Sequence, residues 1–232
     1  MNILSLDTST DVLSIALKTD TSYEERLING NFSHSECLLT EIMSLLERAH
    51  LSLKDLDVLI AAKGPGSFTG LRVGIASLKG IRAAGDAKLV TVPTLEAMVH
   101  AVKGLSPYPV LSCIDAKKNR FYYALYDESG NPLTEIRDSD PNNIADDVNG
   151  YEKIIITGKD APLFLSKLSD EKLREKFIID RSCPRNIASS LMALGLRKLS
   201  SSGEDDIGEG PLYVRRSDAE EALLKKMEEK NG

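Results

Sequence analysis

The amino-acid sequence predicts an α/β chain made of two subdomains that share one element order, βββαβαβα, and three observations lead there. Short runs of alternating or β-branched character come in threes, amphipathic helical stretches interleaved with further short strands follow them, and the whole order restarts after Gly104 and the prolines Pro107 and Pro109. The expected division is 1–104 and 105–232, with the C-terminal tail a candidate to pack back on the first subdomain.

Each element has its own signal. ILSLDTS, VLSIALKT and YEERLING read as three strands joined by polar turns. From His34 to Ala49 apolar residues recur at Leu38, Ile42, Leu45, Leu46 and Ala49, one face of a helix. VLIAA is a buried strand, GPGSFTG a loop, Leu71 to Ala84 a second helix, and KLVTV with Thr94 to Val102 one more strand and helix. In the second copy VLSCID, FYYALYD and PLTEIR are expected as strands. A weak helix should precede Gly150, and IIIT and FIID should each lead into a helix. Asp7 and Asp115 are both expected to end the first strand of their copy and to open the following turn. SSSGEDDIGEG reads as an exposed loop, and the tail beyond it puts Leu223 and Met227 on one helical side.

Composition excludes several classes. Hydrophobic residues make up 42% and charged residues 28%, an ordinary globular balance. The net charge is −6 and neither half is basic, whereas a chain whose main task is holding nucleic acid should present a basic face. Cys37, Cys113 and Cys183 are widely spaced and form no CxxC pair, so they are expected to be reduced and buried. No apolar run approaches the roughly 20 residues of a membrane span. The start, MNILSLDTSTD, is unlike a secretion signal, and a cytoplasmic protein is expected.

GPGSFTGLRVGIASLKG is the most informative segment. A glycine-rich loop entering a helix can cradle an anion, but a P-loop needs lysine and a hydroxyl after its last glycine, and Gly70 is followed by Leu71 and Arg72. The alternative is a tight turn requiring Gly64 and Gly66, with Ser67 or Thr69 capping the helix. Gly70, Gly74, Ser77 and Ala84 form a small-residue strip, and the preceding helix carries a second stripe of Leu39, Met43 and Leu46. Together these are candidates for a surface between subunits, the competing account being burial in their own domain. HExxH, GxSxG and a Cys/His arrangement are all missing from the sequence, and His34 and His50 lie about 24 Å apart along one helix.

DTST after the first strand, HSECLL, GPGSFTGLRVG, IDAKKNRFYYALY and PLYVR together resemble the bacterial TsaB (YeaZ) family over most of the chain, from Asp7 to Arg215. The resemblance implies an actin-like duplicated fold of the Hsp70 and sugar-kinase type (ASKHA, ribonuclease H-like). It implies a non-catalytic subunit that pairs with TsaD, the paralogue transferring threonylcarbamoyl to adenosine 37 of tRNAs reading codons that begin with A, with TsaE as a third protein. The chain is expected to pair with itself when alone, to touch tRNA only indirectly, and to hold no cofactor of its own, ATP or ADP entering only in the assembled complex. The catalytic paralogue's relatives hold a metal through an HxxxH pair. Its two positions fall on Thr94 and Met98, neither of which replaces imidazole, so no metal is expected. The phosphate turns of the actin-like group match Asp7, Thr8, Ser9 and Asp115, but without the usual glycines, and Gly158 stands alone where a glycine pair faces adenosine. Two alternatives remain, an actin-like ATPase and a glycoprotease-type peptidase.

Overall fold

The computed structural model describes residues 1–29, 33–181, 186–206 and 208–215. The first half contains β1 (Ile3–Asp7), β2 (Val12–Lys18), β3 (Tyr23–Asn29), α1 (His34–Arg48), β4 (Val58–Gly64), α2 (Phe68–Arg82), β5 (Lys88–Pro93) and α3 (Thr94–His100). The second contains β6 (Val110–Lys117), β7 (Arg120–Tyr126), β8 (Arg137–Ser139), β9 (Ile154–Thr157), α4 (Ala161–Lys167), α5 (Glu171–Arg174), β10 (Phe177–Ile179) and α6 (Ala188–Ser202). The strand orders are β3-β2-β1-β4-β5 and, from the matching edge, β8-β7-β6-β9-β10. In both sheets the first three strands are antiparallel and the last two run parallel to the first. The duplication inferred from element order is therefore a duplication of topology, as the actin-like resemblance implies.

Side-chain alternation assigns the layers. In β1, Leu4 and Leu6 point to α1 and α2, where they meet Leu38, Ile42, Leu45 and Leu78, while Ile3 points the other way. In β7, Phe121, Tyr123 and Leu125 pack with Phe164 of α4, while Ala124 and Tyr126 face inward. Between the sheets lies a layer made of α3 and α6, packed with Ile60 and Val92 of the first sheet and Ile114 and Ala124 of the second. Helix α6 thus crosses back to the first sheet, where Ser5 Oγ donates to the Ala188 carbonyl at 2.8 Å.

Several expectations are corrected. PLTEIR is not a continuous strand: the Asp127 turn returns the chain to β7 at an isolated bridge between Tyr126 and Pro132. Thr134 Oγ1 then accepts the Leu125 amide in place of a backbone carbonyl, and ladder pairing resumes only at Arg137–Ser139. The helix before Gly150 is a single tight turn, Pro141–Ile144, in a stretch whose Asn and Asp side chains compete for backbone groups. Strand β6 runs two residues beyond Asp115, and α2 begins at Phe68 rather than Leu71. Cys113 is buried as expected, but Cys37 is only half-buried; Cys183, Leu223 and Met227 lie outside the described residues. No helix among the described residues is long and apolar enough to cross a membrane.

The seat of α6 on β4 is tight, since a Cβ on Gly195 would stand 2.7 Å from Ile60 Cγ2. Gly195→Val should therefore overpack the central layer, costing about 1–3 kcal/mol. A thermal melt should show a midpoint several degrees below the parent's, and an unchanged midpoint would mean that α6 is not closely packed there.

Candidate functional site: the cleft between the halves

The turns that follow β1 and β6 face each other across a cleft of about 1170 Å³, lined by Ser9, Thr10, Asp11, the 65–73 segment, Asp115, Lys117, Lys159, Asp160 and residues 212–215. Duplicated topology puts them there, because β1 and β6 hold the same central place in their sheets.

In the first turn Asp7, Thr8 and Ser9 are all buried, and Asp7 Oδ1 accepts the Ser9 amide at 2.8 Å. Burial pushes the Asp7 carboxyl above the usual carboxylate range, despite the Ser9 hydrogen bonds and the nearby His34. GPGSFTG closes over this turn. The Ser67 amide donates to the Ser9 carbonyl at 2.6 Å, and Ser67 Oγ caps α2 by accepting from Gly70. A Cβ on Gly66 would lie 2.3 Å from the Ser9 carbonyl oxygen and one on Gly70 2.1 Å from that of Thr8, so only glycine permits these approaches. Of the two readings of this loop, the tight capped turn matches what is seen.

The second turn is closed by charge. Asp160 Oδ2 accepts the Asp115 amide at 2.8 Å, and Asp115 takes the amide and the ammonium of Lys117 at 2.8 and 2.9 Å. Gly158 presses on β6, where a Cβ would meet the Cys113 carbonyl at 2.3 Å, so it is not open toward a base. Lys159 spans the cleft to Asp11 at 2.5 Å. Burial raises the Asp11 carboxyl, but the hydrogen bond and charge of Lys159 outweigh it and hold the group below its usual range. Hydrogen bonding to Asp115 raises the Lys117 ammonium against partial burial, helped by the charges of Asp115, Asp160 and Asp11.

The remaining candidates separate. Thr94 and Met98 are buried, Met98 accepting from Ser112 Oγ at 3.5 Å in the central layer, so neither position fits a metal. Among the described residues no group of three or more His, Cys, Asp or Glu is placed to hold one. His100 is half-buried, its basicity lowered by burial and then by Lys103 and Arg197. His34 Nε2 is 2.6 Å from the Thr10 carbonyl, a strut from α1 to the first turn rather than a base beside Ser67.

The expected partner strip is corrected in part. Leu46 is fully buried, and Gly70 and Gly74 face inward, a Gly74 Cβ meeting Thr8 Oγ1 at 2.3 Å. They serve contact with β1 and its turn, not contact with another subunit. Leu39 and Met43 are exposed at 53% and 50%, and Ser77 is half-buried. Sequence reasoning missed Asp11, Lys159, Asp160 and the stack of Phe68, Arg72 and Tyr213, in which Arg72 lies 3.9 Å over Phe68 and donates to Tyr213 at 2.8 Å. The PLYVR signature was the available signal, since its tyrosine docks on GPGSFTGLR.

The family described as "TsaD: tRNA N6-adenosine threonylcarbamoyltransferase" matches residues 31–161. The tRNA threonylcarbamoyladenosine biosynthesis protein TsaB of Escherichia coli strain K12 is 33% identical over 138 residues, spanning 56% of this chain and only 58% of its own length. The protein of the same name from Bacillus subtilis strain 168 is 29% identical over 226 residues, covering 95% and 96%. The solved structure of YeaZ from Pseudomonas aeruginosa covers 92% of this chain and 99% of its own at 21% identity, with a TM-score of 0.77, a likeness of fold.

Two outcomes follow from the site. Protein purified without chelator should carry no stoichiometric transition metal, and elemental analysis finding one would mean that ligands exist outside Thr94 and Met98. Asp7, whose folded pKa lies above its unfolded value, costs stability when charged. That cost is absent below the unfolded pKa and grows as pH rises through the folded one. Asp7→Asn, which can still accept from Ser9, should melt above the parent at pH 7, and the difference should vanish near pH 3.5.

Proposed function

The chain belongs to the TsaD family and to its TsaB (YeaZ) branch, and on that premise we propose that it is a non-catalytic subunit of a threonylcarbamoyladenosine-forming complex. It pairs with a TsaD-type catalytic subunit, with a TsaE-type ATPase as third member, for transfer of threonylcarbamoyl to N6 of adenosine 37 in tRNA. The observation that carries this reading is the state of Thr94 and Met98. Where the catalytic paralogue needs two imidazoles at a site open to substrate, this chain has a hydroxyl and a thioether packed between its sheets.

The cleft supports the same reading over an ATPase. An incoming phosphate would find the Ser9 and Asp115 amides already bonded to Asp7 and Asp160, and the two lysines of the lining already paired, Lys117 with Asp115 and Lys159 with Asp11. Tight nucleotide binding by the isolated chain is therefore disfavoured, and ATP or ADP belongs to the assembled complex. The overall charge of −6 favours indirect contact with tRNA.

Docking falls to the outer face of α1 and α2. Leu39 and Met43 lie one turn apart on α1 and both leave about half of their area in water, and Ser77 on α2 is half-buried, which suits a helix pair of a second actin-like subunit. Alone, the chain pairs with itself.

The decisive assay mixes the chain with TsaD-type and TsaE-type proteins and tRNA from the same source and measures modified adenosine with each component omitted. Omitting the chain should abolish modification, and modification by the chain alone would overturn the proposal. Leu39→Glu with Met43→Glu should melt like the parent yet bind the catalytic partner at least about tenfold more weakly on a sizing column, as expected for two interface anchors. Undiminished pairing would move the interface elsewhere.

A further inference from the structure

Residues 208–215 form neither helix nor strand, yet they are held at both ends of a path between the halves. On the first half, Lys79 Nζ donates to the Glu209 carbonyl at 2.8 Å and the Leu212 amide to the Lys63 carbonyl at 2.6 Å. The Tyr213 ring lies 4.9 Å from that of Phe68, and its hydroxyl accepts from Arg72 Nε at 2.8 Å. Phe68, Arg72 and Lys79 all belong to α2. Two residues after Tyr213, Arg215 reaches the second half, 3.5 Å from the Ala116 carbonyl of β6 and 3.9 Å from the Asp138 carboxylate of β8.

We propose that residues 208–215 are a coupling strap which, through Tyr213 on α2 and Arg215 on the second sheet, ties the outer face of α2 to the width of the cleft. The two attachments differ in kind. The Tyr213 end combines ring contact, a cation over the ring and a good hydrogen bond, whereas the reach of Arg215 to the Ala116 carbonyl and the Asp138 carboxylate is long and sensitive to a small displacement. Anything that draws Arg72 or Phe68 away from Tyr213 therefore loosens Arg215, leaving Lys159–Asp11 as a remaining tie across the mouth. A partner whose contact on α2 extends beyond Ser77 to the exposed Arg72 would do this. That consequence rests on the docking face proposed above, while the coupling itself rests on this chain's own contacts.

Amide hydrogen exchange tests it. Tyr213 is 43% exposed, so Tyr213→Ala leaves the cores intact. Its loss should speed exchange at the Leu212 amide and, across the cleft, at residues 114–119 by roughly three- to tenfold, the scale of one cation–aromatic contact. Arg215→Ala should speed 114–119 alike and leave Leu212 at the parent rate. Coupling is overturned if Tyr213→Ala speeds Leu212 alone, or if Arg215→Ala leaves 114–119 unchanged. Should Tyr213→Ala raise exchange uniformly through β1 and β4, the fold has been lost and Arg215→Ala alone decides. Adding the catalytic partner to the parent should protect α1 and speed 114–119. Protection elsewhere would overturn the docking face while leaving the strap to be judged on the two variants.

Discussion

The close approach of α2 to the turn after β1 is the contact on which the rest of the site depends. Three glycines on α2 and its lead-in, Gly66, Gly70 and Gly74, bring that helix to where any Cβ would strike Thr8 or Ser9. A helix start normally leaves amides free for an anion. Here the Ser67 amide is spent on the Ser9 carbonyl and the Gly70 amide on the Ser67 hydroxyl, so the geometry that could have held phosphate holds the chain's own backbone. The same approach sets Phe68 and Arg72 at the mouth of the cleft, where Tyr213 can reach them.

The second half reaches a similar closure by other means. It has no glycine loop at this point, and a carboxylate, Asp160, takes the Asp115 amide. A charged acceptor forms roughly twice as strong a bond as a neutral one, which suits a position left half in water. Strain accompanies it: Lys117, Lys118 and Asn119 all have positive φ, a conformation costing non-glycine residues roughly 1–2 kcal/mol each. Asp115 offsets part of that by bonding both the amide and the ammonium of Lys117. One turn is shut mainly by backbone fit and the other mainly by ionic bonds.

Much of the fold was legible because its signals are local. The alternating or β-branched runs of β1, β6 and β7, the continuous apolar run of β4 and the helical stripe of α1 are properties of short windows, and sheet topology then followed from their order. The expected weak helix before Gly150 shrinks to the tight turn at 141–144 because Asn and Asp side chains bond the backbone there. At the site, Asp7, Ser9 and Asp115 were legible as turn positions. Asp11 and Lys159 were not, since a pair 148 residues apart leaves no mark on either segment. Leu46 and the glycine strip failed for another reason. A stripe says that a face is covered, and glycine that the cover is close, but neither says whether it is the chain's own sheet or another subunit.

The central layer limits what the two halves can do. Because α3 belongs to the first half and packs on β6, while α6 belongs to the second and packs on β1, the apolar contacts at the base of the cleft are shared. Parting the halves there would expose Ile60, Val92, Ile114 and Leu191 at once, each worth about 1.5–3 kcal/mol of burial. Separation is therefore confined to the rim, where the ties among the described residues include the Lys159–Asp11 ion pair, partly in water, and the reach of Arg215 to Asp138. A duplicated fold whose base is a common apolar core and whose rim is held by polar ties flexes most readily at the mouth of its cleft, the place where its two turns and its last described residues meet.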